Sequence, residues 1–373
     1  MDRTQQREAW INLALVPGLG PKFFQGLAQS SWQPWDLYQL DAEQLKELGI
    51  QDKCIEHMLK YPPSCPSKSV EQALNWSLCT NHHLVTPSDE AYPERLKQIA
   101  SVPPLLFVKG QLSALNMPQV AVVGSRYPTT QGQQQAYDFA QGLSELGWVI
   151  TSGLARGVDA LAHQGAVDNK GCTIAVMGTG IDKIYPKAHA RLAESICEQG
   201  ALVSEFALGA PAVKGHFPRR NRIVSGMSLG VLVVEATLKS GSLITARQAL
   251  EQNREVMAIP GAIHNPQKAG CHYLIRQGAR LIESPEQIAE ELQGMGEFEL
   301  SEGRLKSAQM NHAQPSLEGD QLKVFQVLDY DGLDMESLVN KTRLDVSTLT
   351  MVLMEMELAG LLSQEQGMYM RSQ

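Results

Sequence analysis

The sequence holds no apolar run near the roughly 18 residues that a membrane span requires. Its opening Met-Asp-Arg-Thr-Gln-Gln-Arg lacks the apolar stretch of a secretory signal. A cytoplasmic protein with no membrane partner is expected. Cysteine is sparse, and Cys54, Cys65, Cys79, Cys172, Cys197 and Cys271 are scattered, with no C-x-x-C pair and no His-x-x-x-His or H-E-x-x-H. That argues for reduced structural thiols and no metal site. No Gly-Lys dipeptide occurs, which excludes a P-loop, and no G-x-G-x-x-G follows Val123, which argues against a dinucleotide dehydrogenase. No cofactor is expected.

The 373 residues suffice for two or three full-sized domains, and 43% hydrophobic with 19% charged residues is an ordinary globular composition. The net charge of -8 is unevenly spread. Residues 1–99 carry 9 Lys+Arg against 12 Asp+Glu, residues 100–290 carry 17 against 14, and residues 291–373 carry 6 against 14. Only the middle is basic, so a polyanion belongs there.

Residues 1–65 read as an N-terminal helical domain. The turn Val16-Pro17-Gly18-Leu19-Gly20-Pro21 lies between Trp10-Ile11-Leu13-Ala14 and Phe23-Phe24-Leu27, an αα-hairpin pattern. Such a turn offers backbone amides to a phosphate, with Lys22 beside it, or is a plain helical connection. Residues 66–117 read as a connecting segment, introduced by Tyr61-Pro-Pro-Ser-Cys-Pro66. Over 118–293, short apolar strands alternate with glycine-rich turns and amphipathic helices: Val120–Val123, Trp148–Thr151, Thr173–Met177, Ala201–Ser204, Val231–Val234, Glu255–Ile259 and Arg280–Ile282. Strands apolar throughout imply a parallel sheet covered on both faces, an α/β fold with a doubly wound, Rossmann-like core. Residues 294–317 read as a polar linker. In 318–373 three apolar-periodic helices precede a hairpin around Gly367, the order of a winged helix.

Ligands of open α/β sheets bind at the carboxyl ends of the strands. Those ends read Gly124-Ser125-Arg126, Gly153 with Arg156-Gly157, Gly178-Thr179-Gly180, Ser204-Glu205, and Glu235 followed by Ser240-Gly241-Ser242. Glycine admits close backbone approach, and successive amides form an anion nest. The densest basic stretch, Phe217-Pro218-Arg219-Arg220-Asn221-Arg222, joins guanidinium forks to an aromatic ring, as single-stranded nucleic acid requires. The alternative is a salt-bridged helix start with Phe217 in the core. Lys187 is a further candidate cation. Asp159 and His163 lie four apart on a helix but read as a first-turn acid and a packed or solvated histidine, with no catalytic pair. Glu205 and Glu235 read as structural, each able to hold a neighbouring arginine. Gly226-Met-Ser228-Leu-Gly230 matches a nucleophile elbow, but its strand follows the motif instead of preceding it.

From Val120-Ala-Val-Val-Gly-Ser-Arg126 through Thr151-Ser-Gly-Leu-Ala-Arg-Gly-Val-Asp159, Tyr185-Pro186, Phe217-Pro-Arg-Arg-Asn-Arg222 and Ser240-Gly-Ser-Leu-Ile-Thr245 to Ile259-Pro-Gly261, the sequence resembles the DNA-processing protein A (DprA/Smf) family. The resemblance implies an N-terminal domain sometimes of sterile-alpha-motif (SAM-like) type, beside the helix-hairpin-helix alternative, and a C-terminal winged helix. It further implies a homodimer that binds single-stranded DNA without cleaving it, protects incoming strands and loads the RecA recombinase in natural transformation (competence). Carried onto this sequence, the DNA pocket falls at Ser125, Arg126, near Lys187 and around Phe217. The competing expectation is a nucleotide-processing enzyme of the lysine-decarboxylase-like group. That group's P-G-G-x-G-T turn is replaced here by Lys239-Ser-Gly-Ser-Leu-Ile-Thr245. In the winged helix, Asp345 to Leu358 lacks Lys and Arg and contains Glu355 and Glu357, so this domain is expected to contact protein or to regulate, and not to read duplex DNA.

Overall fold

The structure, a computed structural model, describes residues 3–30, 32–293, 317, 319–328, 332–365 and 367–371. The expected linker therefore lies outside the described residues except for Leu317. The chain divides into two units, residues 1–305 and 306–373.

The first unit opens with α1 (Arg3–Ala14), α2 (Pro21–Gln29), α3 (Pro34–Leu37), α4 (Ala42–Glu47), α5 (Asp52–Lys60) and α6 (Lys68–Trp76). Leu13, Val16, Phe24, Leu37, Leu45, Ile55 and Met58 form its helical core. The glycine turn between α1 and α2 is present, with Gly18 at φ +97.

Next come β1 (His82–Val85), α7 (Glu94–Lys97), β2 (Leu106–Gly110), β3 (Gln119–Val123), α8 (Thr130–Glu145), β4 (Val149–Ser152), α9 (Val158–Asp168), β5 (Thr173–Val176), α10 (Ala190–Gln199) and β6 (Ala201–Ser204). The unit continues with α11 (His216–Met227), β7 (Gly230–Val233), α12 (Ser242–Glu251), β8 (Glu255–Ala258), α13 (Ala269–Arg276), β9 (Arg280–Leu281) and α14 (Pro285–Gln293). One nine-stranded sheet results, in the order β1-β2-β6-β5-β4-β3-β7-β8-β9. From β6 to β9 all neighbours pair parallel, whereas β2 pairs antiparallel with β6 and with β1. The seven expected strands are present within a residue or two at their ends. The sheet takes two more strands from 66–117, which was expected only to connect.

β3 to β7 are fully buried along their length, as strands covered on both faces must be. One face packs Ile223, Val224, Ala246, Ala249 and Leu274 of α11, α12 and α13. The other packs Ala136, Phe139, Ala140 and Leu143 of α8 together with α9 and α14. The chain leaves β3 for β4 on one side and resumes at β7 on the other, so the strand order reverses between β3 and β7. That reversal opens a crevice at their carboxyl ends.

The second unit contains α15 (Gly319–Val327), β10 (Leu333–Asp334), α16 (Met335–Thr342), α17 (Val346–Leu358), β11 (Leu362–Glu365) and β12 (Met368–Arg371), with sheet order β10-β12-β11. Val324, Leu338, Leu349, Val352, Leu353, Met356 and Leu362 make a core of their own. This is the expected winged helix. Asp345 N-caps α17, accepting from the Ser347 and Thr348 amides.

Candidate functional site

A pocket of about 740 Å³ opens at the strand reversal. Nine residues expected there from sequence line it: Gly124, Ser125, Arg126, Gly153, Phe217, Arg220, Asn221, Ser240 and Gly241. Two loops meet beneath it. Gly157, at φ +77, lies so close to the Ser125 carbonyl that a Cβ would overlap it, and the Val158 amide donates to that carbonyl at 3.1 Å. Only glycine lets the loop after β4 pack on the loop after β3. The Tyr127 amide donates to Ser125 Oγ at 3.1 Å, turning Arg126 and Tyr127 outward, where both are exposed.

Phe217 sits at the start of α11. A Cβ on Gly178 would come within 2.8 Å of its ring, so the ring lies directly on that backbone. Tyr185 is 5.7 Å away centroid to centroid, and the Arg126 guanidinium carbon is 5.8 Å from the Phe217 centroid. Phe217 is half-buried and lines the pocket, so it is not the core residue of the alternative reading. Cation and rings thus face one space, an arrangement suited to phosphate on one side and a planar base on the other.

The arginine-rich stretch is divided by the helix that carries it. Arg220 is buried, and its Nη1 donates to the carbonyls of Gly153, at 2.6 Å, and of Val176. Burial draws its pKa down to about 10, with Asp159 opposing, so it stays charged at neutral pH as a fixed cation in the pocket floor. Arg222 turns away into a two-pronged pairing with Glu205, at 2.7 Å for both Nη1–Oε1 and Nη2–Oε2. Arg219 meets the same carboxylate at 2.9 Å, and its guanidinium lies over Phe206 at 5.4 Å. Neither Arg219 nor Arg222 lines the pocket. Glu205 does hold neighbouring arginines. Glu235 does not: its carboxylate accepts the Thr129 amide and hydroxyl instead.

Asp159 accepts the Gly153 and Ala155 amides at 3.2 and 3.4 Å, fixing the loop after β4. Burial raises its pKa while Arg220 and those amides lower it. His163 is fully buried with Nδ1 2.7 Å from Thr173 Oγ1, and burial depresses its pKa to about 3. It packs in the core as a neutral ring. Ser228 is buried and donates to the Val224 carbonyl.

Arg156 and Lys187 are exposed but outside the pocket lining, and Gly157, Gly178 and Gly180 act behind it in packing. Gly180 has the backbone of Ala207 and Ala210 against it. Sequence reasoning placed Ser242 at a strand end, had Tyr185 and Thr245 only within the family motifs, and missed Tyr127 and Lys214; all five line the space. For Tyr127 the available signal was adjacency to Arg126; in the structure Tyr127 is 75% and Tyr185 53% exposed.

Fold and pocket together define a Rossmann-type protein with an anion-suited switch-point site and an appended winged helix. Residues 83–293 match the family DNA recombination-mediator protein A, and residues 308–368 match the DprA winged helix domain. Protein Smf of Escherichia coli (strain K12) is 50% identical over 255 residues, covering 68% of this chain and 67% of that protein. Protein Smf of Synechocystis sp. is 33% identical, covering 96% of this chain and 97% of its own. The X-ray structure of DNA processing protein A from Streptococcus pneumoniae aligns with a TM-score of 0.65 at 35% identity, covering 78% of this chain and 99% of that one. The Helicobacter pylori DNA processing protein A structure gives 0.52 at 29% identity over 57% and 97%. The chain belongs to the DNA recombination-mediator protein A (DprA/Smf) family.

Proposed function

We propose that this protein binds single-stranded DNA in the switch-point pocket and acts as a recombination mediator. The observation that carries the reading is the placing of Arg126 against Phe217, with Tyr127 and Tyr185 beside them in one pocket. A guanidinium fork suits a phosphate oxygen, and rings offer stacking to any base. Duplex DNA keeps its bases stacked inside and cannot use those rings. Relatives named for DNA processing support the reading, as does the H. pylori structure, described for its single-stranded DNA binding mode.

As a mediator the protein binds as a homodimer, protects incoming strands, and loads RecA onto them during DNA uptake. Both partners, RecA and the second copy, follow from the family resemblance. Arg156, Lys187 and Arg219 supply contacts for the strand beyond the pocket. The work is done in the cytoplasm; among the described residues no helix is long and apolar enough to cross a membrane. The acidic winged helix contacts protein. No bond is broken in this scheme, since Asp159 serves the loop amides.

The test is a salt titration of binding to single- and double-stranded oligonucleotides of equal length without nucleotide. Tight, salt-sensitive preference for the single strand is the expected result, with RecA filament formation as the next assay. Binding to neither rejects the reading, and nucleotide hydrolysis then tests the enzyme alternative.

A further inference from the structure

The loop of residues 125–129 presents Arg126 and Tyr127 to the pocket, and its far end is fastened by a buried acid. Glu235, at the end of β7, is 0% exposed. Its Oε2 accepts the Thr129 amide at 2.9 Å and its Oε1 accepts the Thr129 hydroxyl at 2.7 Å. Thr129 in turn caps α8, its hydroxyl accepting from the Gly132 amide at 3.1 Å. A Cβ at Gly132 would overlap the Glu235 carboxylate, so the first turn of α8 is closed down on the acid. Lys268, also fully buried, donates to Gln135 Oε1 at 2.8 Å and to the Val234 carbonyl at 3.1 Å. It lies near enough to Glu235 for the carboxylate to favour its charged form against burial. On the outer side Gln267 Nε2 donates to the Tyr127 carbonyl at 3.3 Å. The Glu235–Thr129 and Gln267–Tyr127 bonds reach from the β7 and α13 side of the sheet to the loop after β3, and Lys268 ties α8 to the end of β7.

A carboxylate beneath a cationic site would, by charge alone, weaken binding of a phosphate chain. Its bonds argue the opposite. We propose that Glu235 is a positioning residue for strand binding, which through Thr129 holds the loop so that the Arg126 guanidinium stays over Phe217. This rests on the single-stranded DNA reading above. Charge and positioning predict opposite signs for its removal, which makes the role decidable.

The experiment uses the full chain, titrated with an oligothymidine strand at several salt concentrations. Glu235→Gln keeps the size and removes one acceptor and the charge; Thr129→Val removes the hydroxyl and Thr129→Ser keeps it. Glu235→Gln and Thr129→Val are expected to bind more weakly, with the slope of log K against log salt smaller by about 0.7, the share of one phosphate contact on a single strand. The double variant Arg126→Ala/Glu235→Gln is expected to bind no more weakly than Arg126→Ala alone, because both changes remove one contact. Thr129→Ser is expected to match the unaltered protein. A merely structural role would lower thermal stability and leave the slope unchanged. Equal or tighter binding by Glu235→Gln at unchanged slope overturns the proposal, and so does equal behaviour of Thr129→Val and Thr129→Ser. Where Glu235→Gln fails to fold, the Thr129 pair decides. Absence of single-strand binding by the unaltered protein overturns the functional reading, and this inference with it.

Discussion

Replacing Phe217 by alanine tests whether the ring is a stacking platform or a prop for its neighbours. One side of the ring lies on the Gly178 backbone, and the ring lines the pocket with the Arg126 guanidinium 5.8 Å from its centroid. With one side taken by backbone, the ring can stack at most one base, so one stacking increment is at stake. At about 1–3 kcal/mol per base, affinity for a single strand should fall roughly 5- to 150-fold. Stacking releases few counterions, so the salt slope should hold. Fluorescence anisotropy with a labelled oligothymidine, repeated across salt concentrations, reads both quantities. Unchanged affinity would refute the platform. A slope smaller by about 0.7 would refute it differently, by making the ring only a support for Arg126.

Arg126→Ala should show the complementary signature, weaker binding with the slope reduced by about 0.7, and an unchanged slope would remove Arg126 from the phosphate contacts. Arg222→Ala should leave Glu205, whose side chain is 1% exposed, with Arg219 as its remaining partner, destabilising the fold by about 3 kcal/mol. Thermal unfolding should record this loss while the salt slope stays constant; the reverse pattern would make Arg222 a DNA contact. His163 carries a pH dependence. Unfolded, the ring titrates near 6.5 and folded near 3, so between these values the unfolded state binds the extra proton and stability falls as pH falls. By pH 5 the loss amounts to about 2 kcal/mol, at about 1.4 kcal/mol per pH unit. Urea unfolding of His163→Gln should be flatter between pH 7 and 5 than that of the unaltered protein, and parallel curves would reject the assignment.

The parallel strands were legible because burial on both faces forces uninterrupted apolar runs, as in Val120–Val123 and Val231–Val234. β1 and β2 were not, for a physical reason. They pair antiparallel at the sheet's edge, where one strand begins with His82-His83 and the other ends in Lys109-Gly110. Pro103-Pro104 before β2 also reads as a break. The identity of the pocket's loops was legible from Gly124-Ser125-Arg126 and Ser240-Gly241, since ligand position in an open α/β sheet follows from topology. The direction of each arginine was not, because counting guanidinium groups in 219–222 gives no partner. Arg222 finds its carboxylate 17 residues earlier, at the end of β6.

The strand-end acids turn out to build the cationic site. Glu205 draws Arg222 and Arg219 to itself, anchoring the helix that presents Phe217. Asp159 ties down the loop of Gly153 and Ala155, above which Arg220 is fixed by carbonyls. Glu235 fastens Thr129 and with it the loop of Arg126. Glu235 and Asp159 are bound to backbone amides and Glu205 to Arg222 and Arg219, while Arg126 and Lys214 line the pocket and have no ion-pair partner among the described residues. On the proposed reading, an acidic chain would hold a polyanion through a few placed cations and not through its net charge. Its acids are used to fix geometry, and Arg126, with no carboxylate partner among the described residues, stands 5.8 Å from the Phe217 ring centroid. The consequence is a strong dependence on form over net charge. Adding lysines at the pocket's outer rim should raise affinity for single strands and duplexes alike, whereas loss of the ring or of its positioning acid should erase the difference between them.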